Sequence, residues 1–126
     1  MRISVQTASF DPGALLNELH ADYRGTGAVV GFVGYVRDFN DGDAVSGMWL
    51  EHYPGMTEQV IRGLIDEAFR RWDLQRVRVI HRVGRLALAD QIVCVGVASA
   101  HRGDGSVPRF LFDSQAQAKG KLYTLA

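Results

Sequence analysis

Residues 76–101 read RVRVIHRVGRLALADQIVCVGVASAH. Two runs of strand-forming residues flank the tetrapeptide ALAD at 87–90. The first, through Leu86, alternates polar and apolar residues. The second is almost continuously apolar from Ile92 to Ala100. Alternation marks a strand with one wetter face, and a continuous run marks a strand covered on both faces. A connection this short suits an antiparallel hairpin, so the fold is to be built on antiparallel pairing. His81 and Arg82 alternate within the first run and read as a half-exposed face. The second run ends abruptly in His101 and Arg102, an imidazole and a guanidinium at a strand terminus.

Working outward, GAVVGFVGYVRD (27–38) is a strong β-branched and aromatic strand that ends at Arg37. Its glycines at 31 and 34 weaken it unless a neighbour packs close to the backbone or a bulge is needed. The turn FNDGDAVSG leads into a further strand, MWLEHY (48–53). RISVQTASF at the N-terminus is a short alternating strand. In DPGALLNELHADY, Asp11 is an N-cap with Pro12 at the first helical position, and Leu15, Leu16 and Leu19 form one apolar face. The clearest helix lies in YPGMTEQVIRGLIDEAFRRW (53–72), where Val60, Ile61, Leu64, Ile65, Ala68 and Trp72 recur at helical spacing and Thr57 can cap. The order β-α-β-β-α-β-β predicts an α+β domain with two main helices and a largely antiparallel sheet.

Composition sets the outer bounds. The chain has 126 residues, 47% of them hydrophobic, and a formal net charge of zero. One domain with a real core is expected. Neutrality argues against a broad grip on nucleic acid or an anionic membrane and favours self-association. The lone Cys94 excludes an internal disulfide and reads as a buried structural thiol. No run of 18 apolar residues occurs and the N-terminus lacks signal-peptide form, so a soluble cytoplasmic protein is expected. The histidines and the cysteine show no metal-ligand spacing, and no dinucleotide or phosphate-loop fingerprint appears.

Arg37, His101 and Arg102 all stand at strand ends. If those ends share one rim of a sheet, two guanidiniums and an imidazole there hold a phosphate or carboxylate by charge-assisted bonds. Glu51, His52 and Tyr53 are too polar for a plain core strand.

GAVVGFVGYVRDFNDGDAV, LEHYPGMTE, VIHRVGRL and VGVASAHRGD, in this order and spacing, resemble the large, catalytic subunit family of molybdopterin synthase over residues 1–104. The resemblance implies an α/β hammerhead-type fold and a homodimer. It implies a small ubiquitin-like sulfur-carrier partner whose C-terminal Gly-Gly thiocarboxylate enters the active site. Sulfur then passes to cyclic pyranopterin monophosphate to make the dithiolene of molybdopterin, without a cofactor or metal. Arg37, His101 and Arg102 carry over as catalytic and pterin-binding groups, with Tyr35 and Val36 beside them in the substrate pocket. The match stops before residues 105–126, an atypical or truncated tail. It holds Lys119 and Lys121, the chain's two lysines and its candidates for the family's catalytic ammonium groups. Pro108 and the glycines disfavour the family's helix there. RFLFD is expected to pack back on the sheet as a short helix or strand, and SQAQAKGKLYTLA to lie extended or cross to a neighbour. The rival expectation is a non-catalytic relative that dimerises and docks the carrier.

Overall fold

The computed structural model describes residues 2–21, 24–37, 39–40, 43–44, 47–51, 55–100 and 122–125. Its elements are β1 (Arg2–Gln6), α1 (Pro12–His20), β2 (Ala28–Tyr35), β3 (Phe39–Asn40), β4 (Asp43–Ala44), β5 (Gly47–Leu50), α2 (Met56–Arg71), β6 (Leu74–Arg82), β7 (Gly84–Ala87), β8 (Gln91–Ser99) and β9 (Leu122–Leu125). The main sheet has the order β1-β6-β8-β2. β6 and β8 form the expected antiparallel pair, β8 and β2 another, and β1 joins β6 in parallel. Among the described residues the chain thus adopts the expected α+β architecture, with two helices and a largely antiparallel sheet.

The helices cover opposite faces of this sheet. Ile61, Ile65 and Ala68 of α2 pack on Val77 and Val79 of β6 and on Val93, Val95 and Val97 of β8. Leu15 and Leu19 of α1 pack on Ile80, Cys94 and Ala98. Between Val93 and Ala98 odd residues of β8 therefore face α2 and even ones face α1, which is why this stretch is apolar throughout. Each large side chain removed from water this way contributes about 1.5–3 kcal/mol.

Asp11 caps α1 as its residue type dictates: Gly13 N–H donates to its Oδ1 at 2.9 Å. The start of α2 differs from expectation. Gly55, not Thr57, is the N-cap, and its N–H donates to the Glu58 carboxylate at 2.9 Å. A carboxylate three residues into the helix thus satisfies the cap's own amide, and the Thr57 hydroxyl is not needed for it.

Close approach explains the strand glycines. Gly31 and Gly96 are cross-strand partners beneath α1. A Cβ on Gly96 would lie 2.5 Å from both Leu15 Cδ2 and Leu19 Cδ1, and one on Gly31 would lie 2.8 Å from Leu16 Cδ2. Gly34 sits instead where the β2–β8 register shifts before Tyr35. Gly96→Ala is expected to destabilise the fold by about 1–3 kcal/mol through overpacking. A lower urea midpoint with an unchanged slope checks this, and an unchanged midpoint counts against the packing described.

The alternating run 76–86 does not continue as one strand. It breaks at Val83, and Gly84, with φ +86°, redirects the chain into β7. β7 pairs with β5, and β5 with β9, giving a second antiparallel sheet of order β7-β5-β9. Val36, Met48, Leu50 and Leu86 form its own small core. A two-stranded ribbon, β3–β4, lies in the turn segment before it. The end of the tail is extended, as expected, but as a strand of this sheet. Leu122 pairs with Leu50 and Leu125 with Gly47.

His81 and Arg82 also differ from the half-exposed reading. His81 is buried, with Nδ1 2.7 Å from the Arg82 carbonyl oxygen. Arg82 donates to the Thr7 carbonyl through Nε and Nη2 and to the Gln91 carbonyl through Nη1. A polar residue alternating with apolar ones can serve the protein's own backbone as well as water.

Candidate active site

Arg37 follows β2 by two residues and is exposed. Its position is set by its neighbour. Val36 N–H donates to the Asp90 carbonyl and Ala89 N–H to the Val36 carbonyl, both at 2.9 Å. The 87–90 turn is itself held by Ala87 N–H donating to Asp90 Oδ2 at 2.8 Å, with Asp90 3.8 Å from Arg82 Nη1. Val36 was expected in the substrate pocket, yet its side chain is 3% exposed and belongs to the small core. Its role is to anchor the strand end. Tyr35 is 53% exposed, and Leu88 on the adjoining turn is exposed as well. An open aromatic ring and an open guanidinium thus stand on a rigid scaffold, just past a register shift of the kind that re-aims side chains. Such a pair can stack on a flat heterocycle and hold an anion. The 87–90 turn is the contribution that sequence reasoning missed. Its signal was present in ALAD, where the Asp side chain can reach back three residues.

The expectation that Arg37 shares a rim with the end of β8 is not met within the sheet. Pairing matches Tyr35 to Gln91 and Ala28 to Ser99. The end of β2 therefore adjoins the start of β8, and the end of β8 lies at the opposite side of the sheet. The reason is antiparallel pairing itself. Seven residue steps separate Ala28 from Tyr35, about 24 Å at the usual rise. His101, Arg102, Lys119 and Lys121 lie outside the described residues, as do His52 and Tyr53. Lys121 immediately precedes β9, so the tail enters the second sheet beside the end of β5, whose core Val36 shares.

Among the described residues no group of three His, Cys, Asp or Glu side chains gathers to hold a metal. Cys94 is buried at 1% exposure, as its apolar run implied, and burial pushes its thiol pKa up. Native protein is expected to resist iodoacetamide at neutral pH and to label fully in urea. The sign for stability follows from linkage. The unfolded thiol ionises first, so its contribution is complete below the ordinary thiol range and is lost as pH rises above it. Fast labelling of native protein would overturn this placement.

Among the described residues, a sheet clad by one helix on each face, with a second small antiparallel sheet leaving it at a glycine, defines an α+β protein, and the α/β hammerhead type is what the family resemblance implies for it. The family model described as MoaE protein matches residues 5–108, and the chain belongs to that family. It is 62% identical over 102 residues to the molybdopterin synthase catalytic subunit of Pseudomonas aeruginosa, a match covering 81% of this chain and 68% of that protein. It is 56% identical to the corresponding subunit of Ralstonia nicotianae, over 81% of this chain and 58% of that protein. The fold matches the molybdopterin biosynthesis MoaE protein of Burkholderia ambifaria with a TM-score of 0.80 and 44% identity, covering 90% of this chain and 74% of that one. Molybdopterin synthase from Staphylococcus aureus shares the fold at a TM-score of 0.82 with 22% identity, over 96% of this chain and 87% of that one.

Proposed function

We propose that this chain is the catalytic subunit of a molybdopterin synthase. It moves sulfur from the thiocarboxylated C-terminus of a small ubiquitin-like carrier to cyclic pyranopterin monophosphate. The observation that carries this reading is the 62% identity to a protein of that name across the stretch that builds the Arg37 strand end. Arg37 holds the anionic pterin and stabilises charge as the cyclic phosphate opens. Tyr35 offers its exposed ring to the heterocycle. His101 and Arg102 complete the anion site, His101 donating a hydrogen bond or moving a proton. Lys119 and Lys121 are the candidate ammonium groups, and the pairing of β9 with β5 supports a tail that reaches the Arg37 side of the molecule.

Because β2 and β8 end on opposite sides of the sheet, the pocket is completed across two copies of the chain. Arg37 comes from one copy and His101 with Arg102 from the other, in a homodimer. A cytoplasmic reaction is part of this proposal; separately, no helix among the described residues is long and apolar enough to cross a membrane. The test is conversion of cyclic pyranopterin monophosphate by the purified chain with thiocarboxylated carrier. Formation of the dithiolene product is expected. Carrier binding without conversion would favour the docking role instead.

A further inference from the structure

The α1-facing side of the β1–β6 edge is polar, although the rest of that face is core. α1 has nine residues against sixteen in α2, and its buried leucines cover Ile80, Cys94 and Ala98 rather than β1. Ile3 and Val5 of β1 pack toward α2, so Arg2 and Ser4 point the other way by strand alternation. Arg2, Arg76 and Arg78 meet there around a cleft of about 120 Å³ that Glu18 of α1 also lines.

Among the described residues, the guanidiniums of Arg2 and Arg78 share the one carboxylate of Glu18. Glu18 Oε1 accepts from Arg2 Nη1 at 2.7 Å and lies 3.8 Å from Arg78 Nε. Arg76 Nη1 donates to the carbonyls of Glu18 and Ala21 at the end of α1. The Arg78 side chain is only 8% exposed. Its Nη1 donates to the Val79 carbonyl and its Nη2 to Ser4 Oγ, while Nε is buried with no hydrogen-bond partner. A buried cation with an unused donor is costly unless a counter-charge completes it.

We propose that this cleft binds a small tetrahedral oxyanion of the phosphate class, held by Arg78 Nε and the Arg2 guanidinium. The Glu18 side chain, 46% exposed, is free to swing toward solvent when the anion enters. Guanidinium forks match the oxygens of such an anion bidentately. The cleft lies on the β1 edge, whereas β2, which Arg37 follows by two residues, forms the opposite edge of the sheet.

The test is titration of the full chain with inorganic phosphate at constant ionic strength, followed by calorimetry and by the Arg78 Nε–H resonance. Arg37→Ala is held as the background, so that the anion site of the proposed function is weakened, and the Arg78 resonance together with the Arg2 and Glu18 variants reads this cleft separately from it. Phosphate is expected to bind this background and shift the Arg78 resonance. Arg2→Gln should weaken binding about tenfold, the loss of one charge-assisted contact. Glu18→Gln should strengthen it severalfold, a direction that a purely structural ion pair does not produce. Both positions are largely exposed, so the variants are expected to fold. No phosphate binding in the background, or binding unchanged by Arg2→Gln and Glu18→Gln, overturns the proposal.

Discussion

Ile65→Ala is expected to cost about 2–5 kcal/mol of stability, the range for deleting a large buried aliphatic side chain. Ile65 is fully buried, at the centre of the contact between α2 and the β6–β8 pair. Its neighbours Val77, Val79, Val95 and Ala68 sit on two packed layers, so they cannot close the gap without moving the helix against the sheet. A domain of this size has about 5–15 kcal/mol in total, so the change removes a large fraction of it. Urea unfolding should show a much lower midpoint with one cooperative transition. A loss below about 1 kcal/mol would mean that α2 is not seated on this face, since surface substitutions typically stay within about 0.5 kcal/mol.

Arg37→Ala and Arg102→Ala are each expected to lower kcat/KM roughly 10- to 150-fold, the equivalent of one charge-assisted contact of about 1.5–3 kcal/mol. The decisive measurement combines them. If each pocket draws Arg37 from one copy and Arg102 from the other, a mixed dimer of the two variants has one intact pocket and one doubly damaged one. Equal amounts unfolded and refolded together should then recover about a quarter of the wild-type activity, since about half the dimers are mixed and half of their pockets are whole. If both residues belong to one pocket within a single chain, no mixture restores activity. Recovery would establish the shared pocket, and its absence would return the site to one chain. Light scattering on the same samples checks the dimer itself.

What the chain could announce by itself follows from local physics. Asp11 and Pro12 start α1 because a side-chain acceptor and a fixed φ act within three residues of each other. The 3.6-residue spacing of Ile61, Leu64, Ile65 and Ala68 identifies α2 and its buried face. The alternation of 76–82 and the continuous apolar run of 92–100 identify an antiparallel pair of which the second strand is covered on both faces, and Gly31 signals a close approach or a bulge without saying what approaches. The family resemblance was likewise legible, because its motifs are contiguous runs.

Tertiary structure decided the rest, wherever the outcome depends on partners distant in sequence. Val36 looked like a pocket residue beside Arg37, but Met48, Leu50 and Leu86 arrive from other strands to bury it. His81 and Arg82 looked half-exposed until the loop after β1 and the start of β8 supplied carbonyls for Arg82. The run through Leu86 looked like one strand, and only the second sheet shows why Gly84 turns it aside. Above all, the residue types of Arg37, His101 and Arg102 suggested an anion site, but types carry no direction. Whether their strand ends meet is a matter of register, and antiparallel pairing sends the ends of β2 and β8 to opposite sides of the sheet.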